Sequence, residues 1–205
     1  MTDRYVYDLS EGSAEMKPLL GGKGTGVAEM KRLGVPVPDG FTVTTEACVD
    51  TMTRKGEWPE DLESQVWEGL KRLEERTGRV LGDDKKPLLV SVRSGAVISM
   101  PGMMDTILNL GLTDESTEGL AAASDNARFA YDAYRRLINM FGGVVMGVEH
   151  EHFEDAFAKI KKKYRVQLDT DVPTDGLIEL CDAYKQVYRR HTKSDFPQDP
   201  LQQLT

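Results

Sequence analysis

The spacing of apolar residues changes character once along this chain, and that change limits the folds open to it. Up to Leu112 they come in short runs broken by glycine and proline: Tyr5-Val6-Tyr7-Asp8-Leu9, Phe41-Thr42-Val43, Leu88-Leu89-Val90-Ser91-Val92 and Thr106-Ile107-Leu108-Asn109-Leu110-Gly111-Leu112. Such runs read as strands. From Asp114 the repeat is helical, with Ala130, Tyr134, Leu137, Ile138 and Phe141 on one stripe. Phe153, Phe157, Ile160 and Tyr164 make a second, and Leu177, Leu180, Cys181, Tyr184 and Val187 a third. Three helices separated by Gly142-Gly143 and by residues 169–175 make a small bundle or hairpin array. The expected fold is therefore α/β or α+β over residues 1–112, an all-helical subdomain over 113–195, and a returning segment over 196–205.

Local signals fill in the first half. Gly21-Gly22-Lys23-Gly24-Thr25-Gly26 reads as a loop feeding a short helix with Val27, Met30 and Leu33 on its apolar face, stopped by Gly34 with Pro36 two positions on. Thr44 or Thr45 is placed to cap the next helix. Leu62, Val66, Leu70 and Leu73 recur at helical spacing before Gly78 and predict an amphipathic helix on the sheet. Trp67 adjoins its apolar face, while Trp58 before Pro59 closes a turn. Leu88 to Val92, bounded by Pro87 and Gly95, reads as a buried strand, so Arg93 emerges at a carboxyl strand end, where such sheets bind ligands.

Bulk properties exclude several classes. A chain of 205 residues, 40% hydrophobic and 29% charged, builds a real core and carries no low-complexity tract. A net charge of −8 argues against nucleic acid or an anionic membrane as partner, because affinity for a polyphosphate backbone rests on clustered Lys and Arg. An ATP site, needing only a few local cations, survives that test. Two cysteines, Cys48 and Cys181, with no Cys-x-x-Cys pairing suit a reducing compartment. No apolar run suits a signal peptide or a membrane span, and the expected location is the cytoplasm.

The chemistry-bearing segments each admit more than one reading. Glycines 21, 22, 24 and 26 around Lys23 free backbone amides to turn toward an anion ahead of a helix, or they form a plain connecting loop. The segment is not a Walker A loop, which needs glycine at Lys17 and Ser or Thr at Gly24, nor a dinucleotide fingerprint, which needs glycine at Val27. Arg93 is either a planar clamp for phosphate oxygens or half of an ion pair. Met100, Met103 and Met104 beside Pro101 and Gly102 are gap-fillers or an adaptable apolar lid. In the loop reading Gly102 lets the backbone approach phosphates, and Ser94 or Thr106 offers a hydroxyl. His150-Glu151-His152 lacks the His-Glu-x-x-His spacing and reads as an acidic helix start. Lys159, Lys161, Lys162, Lys163 and Arg165 read as a solvated face.

Taken together, the glycine-lysine loop, Pro36-Val37-Pro38-Asp39-Gly40-Phe41, Ser91-Val92-Arg93-Ser94-Gly95-Ala96, Ser99-Met100-Pro101-Gly102-Met103-Met104-Asp105-Thr106 and Phe196-Pro197-Gln198-Asp199-Pro200 resemble the amino-terminal part of pyruvate phosphate dikinases. The methionine run separates this family from phosphoenolpyruvate synthases and antibiotic phosphotransferases with the same first domain. The resemblance implies part of an ATP-grasp domain, with Lys23 and Arg93 as contacts to the ATP polyphosphate and Gly22, Gly24, Ser94, Gly102, Met103 and Thr106 around them. It implies ATP and Mg2+ as cofactors, with the metal ligands outside this chain. Remaining domains, one carrying a phosphohistidine and one a pyruvate-binding barrel, are implied as partners. The family's carrier histidine lies in a Gly-Gly-x-Thr-Ser-His-Ala context, and His150, His152 and His191 do not. The expectation is thus a piece of a larger dikinase, nearly inert alone and able to self-associate through an uncovered face. The alternatives are a stand-alone nucleotide-binding or protein-docking module, or the first domain of a synthase-type relative.

Overall fold

The computed structural model describes residues 4–94 and 106–204. Two compact units form, one built on residues 4–78 and 93–94 and the other on residues 79–92 and 106–204.

In the first unit, strand β1 (Val6–Asp8) is followed by helix α1 (Lys17–Arg32), strand β2 (Phe41–Val43), helix α2 (Thr45–Thr53) and helix α3 (Leu62–Thr77). β1 and β2 run antiparallel, with Val6 opposite Val43 and Asp8 opposite Phe41. Tyr5, Val6, Ala47, Leu62 and Val66 form the core, and Phe41, Trp58 and Trp67 pack against it. Trp58 thus joins the core as well as preceding a turn. Leu62, Val66, Leu70 and Leu73 of α3 are all buried, each contributing about 1.5–3 kcal/mol. Gln65 of α3 fastens the strand, its Oε1 accepting from the Tyr5 amide at 2.7 Å and the Val6 amide at 3.2 Å. Asp8 accepts from Arg72 and Arg76, each at 3.0 Å. Burial works to raise this carboxyl, but the two guanidinium groups outweigh it and hold it below the usual carboxylate range.

Two expectations for α1 are corrected. The Gly21–Gly26 segment is not a loop ahead of the helix but lies within it; only Gly21, at φ 69° and ψ 173°, leaves helical geometry. The buried face is Leu20, Thr25 and Ala28, whereas Met30 and Leu33 are exposed. The later turns pack through the small side chains of Thr25 and Ala28, which leave little hydrophobic signal, so the stripe read from Val27 onward is not the packed side. The predicted stop holds: Gly34 donates to Lys31 O and Val35 to Met30 O, both at 3.0 Å, closing a Schellman motif. Thr44 is the cap of α2, its side chain accepting from the Ala47 amide.

The second unit contains β3 (Val80–Leu81), β4 (Pro87–Leu88), β5 (Val90–Arg93) up to Val92 and β6 (Thr106–Leu110), then α4 (Asp114–Ser124), α5 (Ala127–Met140), α6 (His150–Tyr164) and α7 (Thr174–Thr192). β3 and β4 pair in parallel, and β5 pairs with β6, so the described strands make three two-stranded sheets rather than one wound sheet. The class is α+β. Leu88 to Val92 is accordingly not one buried strand: the ladder breaks at Leu89, which packs on the helical core, and Ser91, Val92 and Arg93 are exposed. α4 is an additional helix, begun by a capping box between Thr113 and Ser116. It buries Ser116, Thr117, Gly119 and Leu120, a small-residue face without the large apolar stripe that marks the other three.

α5 is central, packing on β6, α4 and α7, with α6 against α7. Leu110, Leu112, Leu137, Ile138, Phe153, Leu177, Leu180 and Tyr184 lie in this core. The strand pairs and residues 106–112 therefore pack with the helices, whereas the sequence places its subdomain boundary at 112. Residues 196–204 return onto the same unit. Phe196 meets Tyr134, Phe141 and Tyr188 edge-on at 5.5–6.0 Å. Gln203, 5% exposed, accepts from the Gly111 amide at 2.9 Å and donates to Leu112 O at 2.9 Å and Pro197 O at 3.0 Å. Both thiols are free; Cys48 on α2 is exposed, and burial pushes the Cys181 thiol on α7 up to about 12.

Candidate functional site

Residues 17–26 pass from proline-started helix to glycine joint to a second helical segment, and that joint positions Lys23. At φ 69° Gly21 adopts a left-handed backbone that costs a side-chain-bearing residue dearly. The helix restarts beyond it, leaving Gly22, Lys23 and Gly24 in a first turn whose amides have no acceptor four residues earlier within their own segment. The first turn of a helix favours negative charge through its N–H groups and its dipole. Thr25 Oγ1 donates to Gly21 O at 2.6 Å, and Thr45 Oγ1 of α2 donates to Pro18 O at 2.6 Å, so both sides of the joint are tied down. A Cβ on Gly24 would lie 2.8 Å from Thr42 Cγ2, so β2 crosses the turn at a distance only glycine permits. Lys23 itself is half-buried.

The second group of candidates borders the 95–105 connection. Arg93 ends β5 and is exposed, Ser94 follows it, and Thr106 opens β6, half-buried. Gly102 and Met103, with the rest of the methionine run, lie outside the described residues. Lys23, Gly22 and Gly24 thus form one consecutive group, and Arg93, Ser94 and Thr106 another. Sequence reasoning did not single out Thr25, because a threonine inside a glycine-rich run looks like loop composition until the helix is known to include it, and it read Thr45 only as a possible cap.

Other clusters do different work. A cleft of about 590 Å³ lies between β1 and α3, with Arg4, Asp8, Glu11 and Arg72 on its walls. Its cations already hold carboxylates, Arg4 with Glu11 at 2.5 Å and Arg72 with Asp8 at 3.0 Å. α6 begins at His150, whose Nε2 lies 3.3 Å from Glu154. His152 stacks on His191 of α7 at 4.1 Å; partial desolvation and the neighbouring imidazole hold His191 below its usual pKa. Among the described residues no three His, Cys, Asp or Glu side chains converge in a cluster that could hold a metal ion. Among them, too, no helix is long and apolar enough to cross a membrane.

The sequence matches the family described as pyruvate phosphate dikinase, AMP/ATP-binding domain, over residues 17–56 and 49–195. The chain belongs to the pyruvate phosphate dikinase family. It is 48% identical to the pyruvate, phosphate dikinase of Giardia intestinalis over 211 aligned residues, which take in 100% of this chain and 24% of that protein. Against the Clostridium symbiosum dikinase the identity is 50%, over 98% of this chain and 23% of the relative. Against the chloroplastic dikinase of Mesembryanthemum crystallinum it is 50%, over 95% and 20%. The chain therefore spans about a quarter or less of the length of these dikinases. Both candidate groups, at Lys23 and at Arg93, fall within the residues matched to the AMP/ATP-binding domain.

Proposed function

We propose that this chain is the ATP-binding part of a pyruvate phosphate dikinase, the enzyme that turns ATP, phosphate and pyruvate into AMP, pyrophosphate and phosphoenolpyruvate through a phosphohistidine. The observation that carries the reading is the match to an AMP/ATP-binding domain across the segments containing Lys23 and Arg93. In this reading residues 1–112 are part of an ATP-grasp fold, 113–195 its helical companion, and 196–205 the start of a return toward the rest of the domain. Lys23 supplies a compact charge against the polyphosphate, and Arg93 a planar fork for two oxygens. The glycines 22 and 24 open the backbone to phosphate, Ser94 and Thr106 add hydroxyls, and Gly102 and Met103 cover the nucleotide. The physical support is the fit of an amide-rich first turn beside an ammonium group to an anion.

Mg2+ arrives with ATP and is held by residues outside this chain. Phosphoryl transfer depends on positioning and on cations neutralising developing charge, so a part lacking the metal ligands and the carrier histidine binds nucleotide without turning it over. The phosphohistidine and pyruvate domains are its partners, in the cytoplasm. Self-association through an uncovered face is part of the reading: Val49 and Met52 are 60% and 74% exposed on α2.

Calorimetric titration of MgATP tests the assignment. Lys23→Met and Arg93→Ala each weaken binding about ten-fold or more, the effect of losing a charge-assisted contact. Affinities equal to that of the unaltered chain refute the phosphate roles, and AMP formation by the chain alone refutes the binding-only reading. Light scattering on the same samples that stays monomeric at all concentrations removes the self-association.

A further inference from the structure

The assignment of ATP to the Lys23 turn leaves open what holds that turn in shape, and Thr25 answers this. We propose that Thr25 is a positioning residue of the nucleotide site, its hydroxyl fixing the Gly21–Gly22 peptide and thereby aiming the amides and the ammonium that follow. The inference rests on the nucleotide reading above.

Three observations support it. Gly21 is the single residue of α1 outside helical geometry, so the Gly21–Gly22 peptide opens the restarted segment and its carbonyl is the first acceptor there. Thr25 Oγ1 donates to the Gly21 carbonyl at 2.6 Å, and in a trans peptide the N–H of Gly22 points opposite that carbonyl. Holding the oxygen therefore holds the first amide of the restarted segment. Thr25 is also 6% exposed and two positions from half-buried Lys23, about 200° around the helix. It lies on the packed face and acts through the backbone, not on the ligand. Thr45, bonded to Pro18 O at 2.6 Å, braces the other side of the joint.

The second unit supplies an internal control. Thr117 Oγ1 donates to Thr113 O at 2.6 Å, the same four-residue bond at the start of α4, also fully buried. Its loss should cost stability without touching nucleotide.

The test is a 15N NMR titration of the 205-residue chain with MgATP, with amide exchange at Gly22 to Gly24 and thermal melts measured alongside. Thr25→Val keeps the shape and removes the hydroxyl; Thr25→Ala stands in for it if valine disturbs the packing. Either weakens binding about five- to ten-fold, the effect of one hydrogen bond, and speeds exchange at Gly22. Thr25→Ser stays within about two-fold of the unaltered chain because its hydroxyl remains. Thr117→Val melts earlier and binds as before. Unchanged affinity in Thr25→Val and Thr25→Ala, a serine variant as weak as valine, or an equal loss in Thr117→Val overturns the positioning role. No MgATP-dependent shift in the unaltered chain, or none lost in Lys23→Met, instead overturns the nucleotide reading and this inference with it.

Discussion

Replacing Gln203 by leucine tests whether the last residues are a tail or part of the helical unit. The side chain makes three hydrogen bonds of 2.9–3.0 Å, to the Gly111 amide and to the carbonyls of Leu112 and Pro197. Leucine fills nearly the same space and makes none. The buried Gly111 N–H and Leu112 carbonyl then stand without these partners, at about 1–3 kcal/mol each. Burying a more apolar side chain returns about 1 kcal/mol. The net loss is about 1–5 kcal/mol, which for a unit near one hundred residues lowers the melting temperature by about 5–25 °C. Urea unfolding followed by tyrosine fluorescence and circular dichroism measures it, with the midpoint shifted and the slope unchanged. A loss below about 1 kcal/mol refutes the reasoning, since it means that water reaches the amide and carbonyls and that residues 196–204 are not docked.

Two further outcomes follow from the first unit. The Asp8 carboxyl is held low by Arg76 and Arg72 against the opposing effect of burial, so it stabilises the fold above the unfolded carboxylate pKa of about 3.9 and ceases to as pH falls through its lower folded value. The gap in urea midpoint between the unaltered chain and Asp8→Asn is thus widest near neutrality and closes below about pH 4; a gap that widens on acidification contradicts the pairing. Gly24→Ala gains about 1 kcal/mol of helix propensity but places its methyl 2.8 Å from Thr42 Cγ2, and the stiff β-branched neighbour makes the net a loss of about 1–2 kcal/mol. Adding Thr42→Ala recovers most of that loss in a double-mutant cycle, and failure to recover it removes the contact as the cause.

Elements with large apolar side chains at a clean period were legible in the sequence: α3, α5, α6 and α7 sit where their stripes place them, and the Thr44 cap and Gly34 stop were named by residue type. α4 was not, because it packs through Ser116, Thr117, Gly119 and Leu120, whose small side chains leave little hydrophobic signal. The glycine segment misled in the opposite direction. Four glycines in six positions read as a loop on propensity, yet the backbone is helical from Gly22, held by Thr25 below and pressed by Thr42 above. Tertiary contact overrode local preference there. The Leu88 to Val92 run was read as buried because continuous apolar stretches suit two-sided burial, but its side chains divide between the helical core and solvent. Lys23 and Arg93 were singled out as candidates from charge, setting and the family resemblance, whereas the bonds of Thr25 and Thr45 depend on distances that no spacing rule encodes.

The two cysteines divide the chain for the experimenter. Cys48 stands exposed on α2 of the first unit, and Cys181 is 2% exposed on α7 of the second, its thiol held up to about 12. At neutral pH a maleimide dye meets essentially one thiolate source, because a buried thiol with a raised pKa neither ionises nor presents itself to the reagent. A reporter therefore attaches to the first unit without any substitution, and uncovering of Cys181 becomes a separate clock for the opening of the helical unit.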